Sequence, residues 1–482
     1  MIAPVHAAVL ALSLLAPQPE PQRRLPFPPE LVRESGAPAG AASPSGAPAQ
    51  SDGRVPARRY QIERIRWVGL DHVRELEARR HLLVAEGELL DEERVLFSRL
   101  KLLQLGWFSK VSLRVERGSE RGLVVLVVEV VERNTLIVTD LILGSTPPQP
   151  VYGGLGLSQQ NFLGRGYGLS GAFVYGGSPA GRSADPDRFA ARASFFAPDV
   201  DVPGVRRGLV LGATFHFARG EEFACSDPEC AGFGSRFGAA PVVRYQRAAG
   251  EVTVGTRPGA FERIHGTFRL ERVRTAGTGG PPAPGFVPTL LDGWSSIAAL
   301  TGTYEMDTRD DFFFPREGMR ALAQVTFGSR LLGGDYEYSR YLLTLDTAFS
   351  LLGLPLRFQG ALGAAQGDVP LFDRFYPADF SYFAIGPAVG RALELNLSTD
   401  SRYDAFVSMG GLEYGIPLWS GDRFFRRGYL AVGLRAVYST AVLGGGRTPF
   451  SRSPLSADVA LRVDTPVGVF NASLGYATDN AL

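Results

Sequence analysis

From about residue 135 to the end of the chain, apolar and polar residues alternate in short stretches, and no apolar run is long enough for a spanning helix. Leu209, Leu211, Ala213, Phe215 and Phe217 fall on one side of an extended segment, with Val210, Gly212, Thr214, His216 and Ala218 on the other. Ala457, Val459, Leu461 and Val463 alternate in the same way with Ser456, Asp458, Arg462 and Asp464. A period of two sorts side chains onto the two faces of a pleated sheet. Repeated across residues 134–482, it predicts a mostly β fold: a transmembrane antiparallel barrel, apolar toward lipid and polar toward its lumen. The alternation gives strand starts near 135, 151, 166, 187, 207, 236, 262, 295, 319, 336, 356, 403, 427, 456 and 468. That is fifteen, whereas single-chain bacterial barrels close on an even number, so 15–16 strands are expected. Either a strand hides within 236–274, or the chain is a piece of a longer one, or the seam between the first and last strands is unusual.

The remaining segments read differently. Residues 1–16 hold a short apolar run (AAVLALSLLA) that fits a secretory signal lacking its basic start; an uncleaved anchor is disfavoured by its length. Residues 17–58 are rich in Pro, Ala, Gly and Ser, a linker composition that cannot bury a core. Residues 59–133 predict a small α/β domain. A strand is expected at 60–68, a helix at 71–84 with Asp71 as its cap, a second helix at 91–105 stopped by Gly106, and strands at 111–116 and 123–132.

Composition excludes several functions. A net charge of +1 gives no general attraction to nucleic acid. The two cysteines, Cys225 and Cys230, sit in one loop; in an exported chain an oxidised pair is favoured over free thiols. With five scattered histidines, no metal site is expected. No nucleophile elbow, metalloprotease helix, phosphate loop or dinucleotide fingerprint occurs, so neither an enzyme nor a cofactor is expected.

The β-α-α-β-β order of 59–133, with Gly69–Leu70, then Gly106, Phe108 and Val111 in L-x-x-G-x-F-x-x-V, resembles a POTRA domain. That resemblance implies a periplasmic module that receives extended clients at a free strand edge, which we place at Leu123, Val125, Val127 and Val130. A spacer that steadies the barrel mouth is the equal alternative. Behind this domain, N-F-L-G-R-G at 161–166, Asp307, Arg309 and Asp310 with Pro315 and Gly318, Pro417–Leu418, and D-T-P-V-G at 464–468 stand in the order found in the BamA/TamA outer-membrane assembly superfamily. The Asp307–Gly318 motif is read as a hairpin determinant, its carboxylates and Arg309 pairing within the turn.

Two departures stand out. The superfamily pairs an arginine at the tip of the loop after the eleventh strand with an aspartate on the thirteenth. Here that tip, 382–386, has no arginine, and Ala431 stands at the aspartate position. Loss of both partners is near neutral where loss of one is costly. The loop is expected to gate the lumen through Phe380, Tyr382, Phe383 and Ile385, with Arg391 as a weaker substitute for the arginine. The resemblance implies a bacterial outer-membrane protein that inserts or translocates polypeptides, with outer-membrane lipid, extended client chains and periplasmic accessory proteins as partners. Its client-handling seam would lie at 136–144 and 469–476. The alternatives are a plugged or passive pore that has lost insertase activity, and a soluble periplasmic β-protein.

Overall fold

The computed structural model describes residues 60–146, 149–176, 188–200, 208–223, 242–276, 291–311, 314–375, 405–421, 424–440 and 455–478. The expected signal and linker, Cys225 and Cys230, and the expected gate residues Phe380, Tyr382, Phe383, Ile385 and Arg391 lie outside them.

The N-terminal unit follows the expected order: β1 (Gln61–Val68), α1 (Glu75–Arg79), α2 (Glu92–Gln104), β2 (Phe108–Arg117) and β3 (Leu123–Glu132). α2 begins where the sequence predicts, because the Asp91 carboxylate accepts the Glu93 and Arg94 amides. α1 is shorter than the expected 71–84. The amides of Asp71, His72 and Val73 all donate to the Glu132 carboxylate, which holds this segment in a turn and delays the helix. Ile62, Ile65, Leu102, Phe108, Val111, Leu126 and Val128 form the core.

The sheet order β1-β3-β2 corrects one expectation. β3 is the central strand, parallel to β1 and antiparallel to β2, so Leu123, Val125, Val127 and Val130 are not an edge. Val130 belongs to the core, and Val125 and Val127 are buried between cross-strand neighbours Arg64, Arg66, Arg114 and Glu116. Of the true edges, β1 is partly covered: Ile62 bonds with Gly87 and Glu88, and Ile65 with Arg79 and Glu86. β2 is the more open edge. Its Val111 carbonyl points away from β3, accepting from Arg99 Nε, so by alternation the amides of Leu113 and Val115 point outward too.

The second unit is one antiparallel sheet of fifteen strands: β4 (Leu136–Thr146), β5 (Gln149–Phe162), β6 (Tyr167–Gly176), β7 (Arg188–Val200), β8 (Leu209–Phe223), β9 (Val242–Thr256), β10 (Glu262–Ala276), β11 (Gly293–Asp307), β12 (Gly318–Gly328), β13 (Tyr338–Leu351), β14 (Leu354–Gly367), β15 (Phe406–Ser420), β16 (Arg427–Thr440), β17 (Leu455–Thr465) and β18 (Gly468–Thr478). Each pairs only with its neighbours in sequence, and each starts within three residues of its expected position except β9, expected near 236 and starting at Val242. The described part of 236–274 holds only the two strands expected there.

The sheet curls into a nearly closed barrel. β4 and β18 meet where the Val138 amide donates to the Val467 carbonyl at 2.7 Å, with no ladder between them. An odd count makes these two strands parallel, since each neighbour reverses direction. Outward-facing residues such as Phe173, Phe215, Val252, Leu270, Leu362 and Val459 are exposed, as an apolar belt requires.

Candidate functional site: the lumen and the rim

At the rim the N-terminal unit is seated on barrel turns. Gln104 Nε2 donates to the Asp307 and Arg309 carbonyls at 3.1 and 2.9 Å, and Trp107 Nε1 donates to the Gln160 carbonyl at 3.2 Å. Phe97 meets Phe261 edge-on at 5.7 Å. Gly106 explains part of its motif: at φ +72 it suits only a residue tolerant of left-handed backbone, and a Cβ there would lie 2.5 Å from Gln160 Oε1. Burial against this interface pushes the His81 imidazole down to about 3, with Arg257 and Lys101 adding to the shift. Lys101 is lowered to about 8, by burial first and then by Arg257 in the β9–β10 turn.

The expected hairpin residues lie together. Arg309 donates from Nε and Nη2 to the two Asp307 oxygens at 3.0 and 2.8 Å, and from Nη1 to Asp346 at 3.2 Å. Asp310 Oδ1 accepts the Arg316 and Glu317 amides, closing the loop around Pro315. Gly318 has φ +98, and a Cβ there would press within 2.4 Å of the Thr308 carbonyl.

Beside this turn lies a charge hub centred on Asp464, the first residue of the D-T-P-V-G motif. The Asp464 carboxylate is 1% exposed and faces Arg427 at 3.0 Å and Arg133 at 3.6 Å. Arg427 also reaches Asp311 at 2.8 Å and covers the Phe314 ring, which stacks on Tyr429. Arg133 follows β3 directly, so the hub ties the N-terminal unit to the β17–β18 turn. Thr465 Oγ1 fixes that turn by donating to the Gly468 carbonyl at 2.8 Å, and Val467 of the same turn accepts the Val138 amide at the seam.

Inside the barrel the lower wall is ionic. From Arg309 and Asp346 the chain of pairs continues to Arg357 at 2.6 Å, then to Glu413 at 3.9 Å. Glu413 is gripped by both Nη atoms of Arg462 at 2.5 Å and approached by Arg435, which binds Asp458. Ala431, the residue at the expected aspartate position, is buried and uncharged. The wall therefore supplies Glu413 with arginines of its own, from β16 and β17.

In the upper lumen an apolar cluster joins further ion pairs, because the start of the loop after β14 crosses it. Val369, Leu371 and Phe375 are almost fully buried, and Val369 and Phe375 pack with Val273, Ile297, Leu342, Val407 and Met409. Phe372 reaches the opposite wall, meeting Tyr245 at 4.7 Å and lying under the Arg247 guanidinium at 4.3 Å. Asp373 fixes the crossing by accepting from Arg269 and from the Tyr338 hydroxyl. Arg269 and Arg247 share Glu271, at 3.7 and 2.6 Å. This arrangement can block a pore and brace two walls; among the described residues no metal-ligand cluster accompanies it.

Asp373, Glu413, Gln104 and Arg133 escaped the sequence reading, which placed Arg462 on a polar face without giving it a partner. Their period-two position marks the strand residues as inward-facing, but only register brings charges on separate strands together.

A family model described as the Omp85 superfamily domain matches residues 161–481, and a POTRA model described as surface antigen variable number repeat matches residues 60–133. Among solved structures, the chain is similar to BamA from Haemophilus ducreyi lacking POTRA domains 1–3: 16% identity, covering 88% of this chain and 82% of that one, TM-score 0.47. It is also similar to CdiB from Acinetobacter baumannii (12%, 87% and 74%, TM-score 0.49) and CdiB from Escherichia coli (7%, 89% and 89%, TM-score 0.50). No curated protein matches the sequence.

Proposed function

Since the chain belongs to the Omp85 superfamily of outer-membrane barrels acting in polypeptide insertion or translocation, we propose that it handles extended clients at the wall of the barrel rather than through its lumen. The observation that carries this reading is the contrast between seam and lumen. Neighbouring strands from β4 through β18 are joined by ladders, some interrupted by a bulge, while β4 and β18 form no ladder and come together at the rim, where the Val138 amide meets the Val467 carbonyl. The lumen, by contrast, is crossed by 369–375 and laced with ion pairs. A segment entering the seam would run antiparallel to both β4 and β18, the better-bonded geometry on each side.

The N-terminal unit would stand on the periplasmic side, with β2 as the edge offered to a client. Pairing Val138→Cys with Val467→Cys, in a background with Cys225→Ser and Cys230→Ser, tests the seam in liposomes. Oxidation should abolish accelerated insertion of an unfolded barrel client, and reduction should restore it. Undiminished insertion by the oxidised protein would overturn the seam as the route.

The edge has its own test. Val115→Pro removes one outward amide without touching the β3 ladder, a position where an edge strand tolerates proline. Client crosslinking to β2 should fall several-fold while the fold is retained. Unchanged crosslinking would favour the spacer role instead.

The crossed lumen favours a second reading, a plugged barrel without insertase activity. In that case the reduced protein would also fail to speed insertion.

A further inference from the structure

The outward face of the barrel carries arginines where an apolar belt should end. Register places Tyr175, Phe189, Arg219, Gln246, Arg274 and Trp294 in one continuous cross-strand row over β6 to β11. Their inward neighbours Val174, Ala190, Ala218, Tyr245, Val273 and Ser295 are all buried, so alternation turns the whole row outward. Arg272 lies on the same face two residues before Arg274, held by a hydrogen bond to Ser296 Oγ at 2.9 Å. Arg274 lies over the Trp294 ring at 5.8 Å.

The height of this row follows from β10. Its outward residues run Glu262, Ile264, Gly266, Phe268, Leu270, Arg272 and Arg274, so charge brackets a stretch without charge. Ten residues from Glu262 to Arg272 span about 34 Å along a strand, or about 26 Å along the barrel axis at a tilt near 40°. That matches the ~25 Å apolar band of an outer-membrane barrel. Arg272 therefore marks the band's edge on the side away from the N-terminal unit. Arg219 and Arg274 stand just beyond it, about 10 Å apart with the Gln246 strand between them.

We infer that Arg219, Arg272 and Arg274 form a binding site for the phosphate groups of an anionic lipid in the outer leaflet. Guanidinium forks match phosphate oxygens two at a time and are more easily desolvated than ammonium groups. Phe173 and Phe217, in the Arg272 row and one step below Arg219 and Arg274, and Leu270 below Arg272 offer an apolar wall for acyl chains. The flanking Trp294 and Tyr175 suit the boundary between hydrocarbon and headgroups. The site depends on the barrel's spanning a membrane and not on its handling clients, so the two readings fail separately.

The test is equilibrium binding to the full chain in neutral detergent. The probes are an acylated glucosamine disaccharide bisphosphate, its dephosphorylated form, and inorganic pyrophosphate. The bisphosphorylated lipid should bind at least about tenfold more tightly than the dephosphorylated one. The triple variant Arg219→Gln, Arg272→Gln, Arg274→Gln should lose that preference while keeping its thermal midpoint. Arg274→Gln alone should lose part of it, which covers the case where the triple variant folds poorly. Equal binding of the two lipids, or a preference that survives the triple variant, would overturn the site. So would displacement of the lipid by pyrophosphate at matching concentration, which would make it a site for free anions.

Discussion

Replacing Asp464 by alanine is expected to lower the barrel's unfolding free energy by about 3 kcal/mol, read as a fall in the urea midpoint in detergent or bilayer. The substitution removes the buried carboxylate that Arg133 and Arg427 both face. Taking one partner from a buried ion pair typically costs ~3–5 kcal/mol, because a charge stays behind in a medium that solvates it poorly. The lower end applies here, since Arg427 keeps Asp311 at 2.8 Å. The same change loosens Arg133, and with it the seating of the N-terminal unit on the rim. Adding Arg133→Met should recover most of the loss, because two well-packed neutral groups can be as stable as the pair they replace. A single substitution costing under ~1 kcal/mol would show that the hub is only a contact at the rim.

The barrel was legible from alternation because one face of each strand meets lipid and the other the lumen, and that division is written residue by residue. The order of β1 to β3 was legible too, but not their adjacency. The run from Leu123 to Glu132, LVVLVVEVVE, is apolar on both faces, the composition of a strand flanked on both sides. The run from Phe108 to Arg117, FSKVSLRVER, alternates charge with apolar residues as edge strands do. That difference was available, and the pairing of β1 with β3 across the helices obscured it. The hub and lumen pairs were less accessible. Glu413 meets Arg462 across 49 positions through the register of β15 to β17, and Asp373 meets Arg269 across 104 through the path of a loop, neither of which a local pattern shows.

Asp373 carries the second large effect. It is the charged group at the centre of the loop segment that crosses the upper lumen, gripped by Arg269 on β10 and by Tyr338 at the start of β13. The superfamily's tip arginine, absent from 382–386, would tie this loop to β16. Among the described residues, the start of the loop is held by a pair of the other polarity, an acid on the loop and a base on β10. Glu413, on the wall where a loop arginine would dock, is already matched by Arg462 and Arg435. Asp373→Ala should therefore free the 369–375 segment and turn a silent barrel into a conducting one in planar bilayers. The loss should be partly opposed by burial of Leu371 and Phe375, which still hold the segment to the wall. Asp373→Asn keeps an oxygen that can accept from both partners but gives up the charge, so its conductance should fall between those of Asp373→Ala and the parent chain. Raising ionic strength should move Asp373→Asn less than the parent, because only the parent lock contains a charge pair to screen. If Asp373→Ala remains as silent as the parent, the crossing is held by its apolar contacts alone, and the carboxylate merely satisfies Arg269.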